Sequence, residues 1–161
     1  MLFRSVALLL SVVAMPMAVA ARGGTDRPVR AELTGSLTWD LFVEGAECDV
    51  VTKTESTGTM SHLGRVSASW RHCPLMDDSG GYEKGHVVFT GRHGSVEGVY
   101  EDADGMAPFV ISVTGGTGRY WGASGTLRLI KFDAVGEWDD ELQRPIEPWD
   151  WTGTITGQLS Y

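Results

Sequence analysis

Short runs of β-forming residues recur along this chain with glycine between them, and that punctuation limits the fold more than any other feature. The runs are 32–43, 50–60, 64–72, 85–92, 95–101, 108–114, 125–135 and 151–161. Several alternate with the two-residue period of a strand. Leu127, Leu129 and Lys131 fall on one side and Arg128, Ile130 and Phe132 on the other, while Thr152, Thr154 and Thr156 alternate with Gly153, Ile155 and Gly157. No apolar stripe with helical spacing reaches a useful length. The 21 glycines and 6 prolines lack a three-residue period, which excludes collagen and favours a turn-rich sheet. The chain is therefore predicted to be all-β, an antiparallel meander of about eight strands with tight turns such as Arg92-His93-Gly94. A closed barrel is the expected form because closure removes exposed edges, with a β-sandwich as the alternative. The run Val50–Met60 is polar on both faces, so it is expected to line a wet cavity or to sit at an edge.

The first twenty residues carry Arg4, an apolar stretch over 6–13, and small residues at Ala18 and Ala20, the pattern of a secretory leader cut after Ala20 or Ala21. Pro16 interrupts the apolar block, which falls short of the roughly 20 residues a membrane span needs. Residues 1–20 are thus read as a signal peptide, 21–31 as a flexible lead-in, and 32–161 as one domain acting in a secreted or periplasmic setting. Both cysteines, Cys48 and Cys73, lie in that domain, and an exported chain with two thiols is expected to join them. The formal net charge of −8 argues against nucleic acid and anionic lipid as partners.

The most distinctive stretch runs from Thr114 to Gly125, where Gly115, Gly116, Gly118, Gly122 and Gly125 supply a turn and Tyr120 and Trp121 offer surface to cover a barrel end. A phosphate-cradling loop is the competing reading, but no GK[ST] and no helix pattern follow. The stretch 115–125 resembles the G-G-T-G-x-[FY]-x-G-A-x-G turn of the dirigent and allene oxide cyclase-like barrels. Gly58-Thr59-Met60-Ser61-His62-Leu63-Gly64-Arg65 is similar to a signature that accompanies this turn in small exported bacterial proteins. The resemblance implies an eight-stranded barrel and carries over no catalytic position.

Chemistry is thinner. Glu55, His62 and Arg65 are the candidate catalytic residues should the barrel act as a cyclase or isomerase, with His62 also suited to fixing a turn through a bond to a neighbouring strand. His72, His86 and His93 lack metal-ligand spacing, and Tyr100–Gly105 resembles half a calcium loop without its first ligand or its closing glutamate, so neither metal nor other cofactor is expected. The segment 136–150 reads as a long acidic connection. Its Trp138 and Trp149, with the following Trp151, are the candidate ligand-binding surface, against a plainer role in capping the barrel. The leading expectation is an exported, non-enzymatic barrel that binds a small molecule or a partner surface. A barrel-pocket enzyme and a structural envelope or matrix protein are the alternatives.

Overall fold

A computed structural model of the protein describes residues 25–41, 48, 50–74, 82–103, 108–142 and 144–161. The leader and residues 21–24 of the lead-in lie outside the described residues, as does the end of the acidic turn at Asp104 and Gly105. Eight strands follow one another: β1 (Arg27–Leu41), β2 (Val50–Met60), β3 (Gly64–Pro74), β4 (Tyr82–Gly91), β5 (Gly94–Ala103), β6 (Phe109–Gly116), β7 (Ser124–Asp139) and β8 (Arg144–Ser160). Each pairs antiparallel with the next and β8 returns to β1, which closes the barrel and excludes the sandwich. Closure also removes the edge position considered for β2.

Inward positions follow from the pleat. Leu33 and Leu37 of β1, Val66 and Trp70 of β3, Val87 and Phe89 of β4, Ile111 of β6, and Leu127 and Leu129 of β7 are all buried. The aromatic residues interlock at the centre. Trp70 meets Phe89 edge-on at 5.5 Å and Trp151 edge-on at 5.9 Å, and Phe132 stacks on Trp151 at 5.3 Å. Such offset and edge-to-face contacts add to the area that large rings bury. Little space remains between these side chains. The space left between Thr54, Trp70, His72, Phe109, Leu129, Phe132 and Trp151 is about 10 Å³, room for no more than one water molecule.

The two barrel ends are built differently. At one, adjacent strands are joined by short turns: 61–63, 92–93 and a single 3-10 turn, Gly118–Tyr120. The backbone N–H of Ser61 donates to the Arg30 carbonyl (2.9 Å), and the Nε2–H of His62 donates to the Pro28 carbonyl (3.0 Å). His62 takes a positive φ of 71°, and Leu63 packs inward beside it. Gly118 adopts φ 58°, and a Cβ there would stand 2.4 Å from the His93 carbonyl oxygen, so both its conformation and its space require glycine. Tyr120 plugs this end with its ring fully buried and its hydroxyl donating to the His62 carbonyl (2.7 Å). Trp121 takes no part in the plug and is 83% exposed. At the other end, the rim, the Cys48–Cys73 disulfide ties residue 48, before β2, to the end of β3.

Three expectations from the sequence need correcting. Residues 27–31 are not a flexible lead-in but the start of β1, paired with β8 from Arg27–Leu159 onward. The alternation along β7 breaks at a bulge between Leu129 and Lys131, which leaves Ile130 exposed and turns Phe132 toward the core beside Leu127 and Leu129. The segment 136–150 is not a long loop: β7 and β8 continue through it as a hairpin that turns between Asp139 and Arg144. Its prolines and acids resemble loop composition, but they occupy strand beyond the barrel wall, where the ladder needs only one neighbour.

Candidate functional site

Strand β2 places Thr52, Thr54 and Ser56 on the inner face, and all three are buried. An interior face that carries hydroxyls must pair them. Ser56 Oγ donates to the Ala68 carbonyl (3.2 Å) and accepts from Trp70 Nε1 (3.3 Å). Thr52 Oγ1 is buried without a hydrogen-bond partner among the described residues. Opposite Thr52 in the β2–β3 register stands His72, also inward and buried.

His72, Gly85 and Tyr100 form one row across β3, β4 and β5. The glycine in the middle is what lets the outer two meet. A Cβ on Gly85 would lie 2.1 Å from the Tyr100 ring, so the phenol lies over bare backbone and reaches across a whole strand to the imidazole. The Tyr100 hydroxyl and His72 Nδ1 are hydrogen-bonded to each other. On the other side of the ring, Nε2 is hydrogen-bonded to Thr54 Oγ1 at 3.3 Å. Trp70 stacks on the imidazole at 6.0 Å. Burial penalises the imidazolium and pushes the His72 pKa down from 6.5 to about 3, so the ring is neutral across the physiological range.

Above this row, at the rim, lies a groove of about 490 Å³. His72, Gly85 and Tyr100 contribute to its lining together with the disulfide, the apolar Val51 and Val99, and four charged or ionisable groups, Arg71, Lys84, His86 and Glu101. Arg71, His86 and Val99 occupy one row of the outer register, one position before the His72 row. Basic groups thus predominate over acidic ones here, against the negative balance of the whole chain. The groove combines the buried, neutral His72 and the Tyr100 phenol with an apolar wall and a margin of mostly basic groups.

The sequence candidates lie elsewhere. Glu55 is on the outer face, where Ser69 Oγ donates to its carboxylate at 2.6 Å. His62 is in the turn at the far end, and Arg65 is exposed at the start of β3. These three do not meet at one pocket. Trp151 is 3% exposed within the aromatic centre. Trp149 is half-buried, edge-on to Trp39 at 5.1 Å, with Nε1–H donating to the Glu137 carbonyl (3.0 Å). Trp138 is 49% exposed on the hairpin. Among the described residues no group of His, Cys, Asp and Glu is arranged to hold a metal ion, and no helix is long and apolar enough to cross a membrane. Sequence reasoning missed His72, Gly85, Tyr100 and Arg71, whose association appears only once β3, β4 and β5 are in register.

The chain is thus a small up-and-down β-barrel with a partly polar groove beside the disulfide at its rim. No family model and no curated protein sequence matches the chain. Among solved structures, a pyocyanin demethylase is similar in fold, with a TM-score of 0.56 at 12% sequence identity over 84% of this chain and 100% of its own.

Proposed function

We propose that this protein is an exported barrel that binds a small organic anion at its rim, without a central ligand cavity. The observation that carries this reading is the contrast in volume: about 10 Å³ inside the packed barrel against about 490 Å³ over His72 and Tyr100. Arg71 supplies a guanidinium for a carboxylate or sulfonate, Val51 and Val99 face the apolar part, and the Tyr100–His72 pair presents a fixed polar floor. The secretory leader pattern and the disulfide support action outside the cytoplasm. Native mass spectrometry of protein recovered from its own host should retain a small anionic molecule. Arg71→Ser should lose that molecule while the melting temperature stays within about a degree, since an exposed arginine contributes little to folding. Protein that carries nothing, and that no aromatic carboxylic acid stabilises in thermal shift, removes the reading.

A second reading has its own support. The resemblance of residues 115–125 to the cyclase-type barrels and the buried His72–Tyr100 pair together fit chemistry on a bound substrate, with the Tyr100 hydroxyl as the polar group that meets it and His72 as the partner that positions that hydroxyl. Turnover of a bound compound that Tyr100→Phe abolishes while binding persists would favour the enzyme over the binder. Residues Glu55, His62 and Arg65 are not part of that proposal.

A further inference from the structure

Strand β6 stops pairing with β7 at Phe109–Leu129, yet β7 runs on to Asp139 with β8 on its other side. Among the described residues, no strand lies along that edge of β7 from Ile130 to Asp139. An open edge presents unpaired N–H and C=O groups and accepts another strand unless it is blunted. Here it is flanked by exposed apolar side chains: Val135 at 74%, with Trp138, Ile146 and Ile130 near half. Among the described residues, this stretch of β7 at the rim is therefore left with a strand on one side only.

The edge is also complementary to itself. Read antiparallel about a two-fold axis at Ala134, Lys131 of each copy falls opposite Glu137 of the other, and both residues are exposed. Directly opposed unlike charges stabilise cross-strand pairs and like charges oppose them. The neighbouring two-fold registers are worse on that count. An axis at Asp133 sets Asp133 against its own copy, and an axis at Val135 sets Asp133 against Glu137. In a chain with net charge −8, an interface that matches its few cations to acids is also the one that offsets repulsion between copies. Two-fold pairing uses the same surface on both partners, so each cross-strand match occurs twice.

We infer that two copies of this chain associate edge to edge through β7, with the axis at Ala134 and a reciprocal Lys131–Glu137 pair. The test is sedimentation velocity over a concentration series on the oxidised protein from an exporting host. The wild type should dimerise reversibly. Lys131→Glu and Glu137→Lys should each raise the dimer dissociation constant by about tenfold or more, since each sets two like pairs face to face. The double variant K131E/E137K restores unlike pairs and should recover dimerisation, with all three variants melting as the wild type does. A wild type that stays monomeric up to about 1 mM overturns the inference. So does a dimer indifferent to both reversals, or single variants that weaken it with no recovery in the double.

Discussion

The turn end and the rim of this barrel solve the same closure problem by different means. At the turn end, backbone carbonyls accept the bonds that tie the turns together: from Thr117 N–H to the Ser95 carbonyl (2.9 Å), from Arg119 N–H to the His93 carbonyl (2.9 Å), and from Tyr120 O–H to the His62 carbonyl (2.7 Å). Every one of those bonds is made by a turn or by a residue beside it. At the rim, a covalent bridge across a 25-residue separation and a phenol that crosses a strand do the equivalent work. Bonding at the turn end is taken up by backbone carbonyls, whereas the side-chain bonding at the rim puts ionisable groups beside an opening.

Acid is expected to separate the two ends most strongly. Burial holds the His72 pKa near 3, below the unfolded value of 6.5, so below pH 6.5 the unfolded chain takes up a proton that the folded one refuses. Stability from this residue is complete above about pH 6.5 and declines as pH falls toward 3, by about 5 kcal/mol if the ring stays neutral throughout. Urea titrations at a series of pH values should show that slope in the wild type and a reduced one in His72→Gln. Equal slopes in the two proteins would mean that the imidazole is not the group resisting protonation. Hydrogen exchange should find the rim opening first, ahead of the turns at 61–63 and 92–93.

Breaking the bridge acts on the same end by a smaller amount. Replacing Cys48 and Cys73 together with serine frees a loop of 25 residues, which the chain-entropy model values at about 3 to 4 kcal/mol. Chemical denaturation of the double variant should shift by that amount, and binding at the rim should weaken because Cys48 and Cys73 form part of the groove wall. A variant of unchanged stability would place the brace of the rim in its side chains instead. Gly118→Val perturbs the opposite end: positive φ and the His93 carbonyl at 2.4 Å together should remove about 1 to 3 kcal/mol while leaving rim binding intact. If that variant lost the ligand, the two ends would be coupled through the packed core.

How far each end was legible in the sequence follows the same division. Glycine spacing at 115–125 and the Ser61-His62-Leu63 turn are local signals, and period-two alternation placed most strands, so an eight-stranded antiparallel barrel could be read from residues adjacent in the chain. The bulge at Ile130 was invisible because an extra residue leaves the apolar pattern Leu127, Leu129, Ile130, Phe132 looking like an ordinary strand. The hairpin beyond the rim was hidden by composition, since Pro145, Pro148 and four acids between 137 and 141 carry loop chemistry on a strand scaffold. His72 and Tyr100 lie 28 residues apart, and only the two registers through Gly85 bring them together. A glycine between two polar inward positions on adjacent strands is the signal that would have found them, and it can be used only after the register is known.

The smallest effect tests where the hairpin belongs in this comparison. Trp138 and Trp149 sit on the same β7–β8 extension, yet Trp149 is held by the Glu137 carbonyl and by Trp39, while Trp138 is 49% exposed. Truncating an exposed side chain leaves folding nearly unchanged, so Trp138→Ala should alter stability by no more than about 0.5 kcal/mol. Trp149→Ala should cost distinctly more, since it removes both an edge-on aromatic contact and a hydrogen bond. Thermal melts of the two variants, at a concentration where the protein is monomeric, read this directly. Equal and large losses would make the hairpin a structural part of the rim. A neutral Trp138→Ala that also weakens self-association would instead assign the exposed indole to contact between copies, and would separate the hairpin from both ends of the barrel as a third region whose residues serve association.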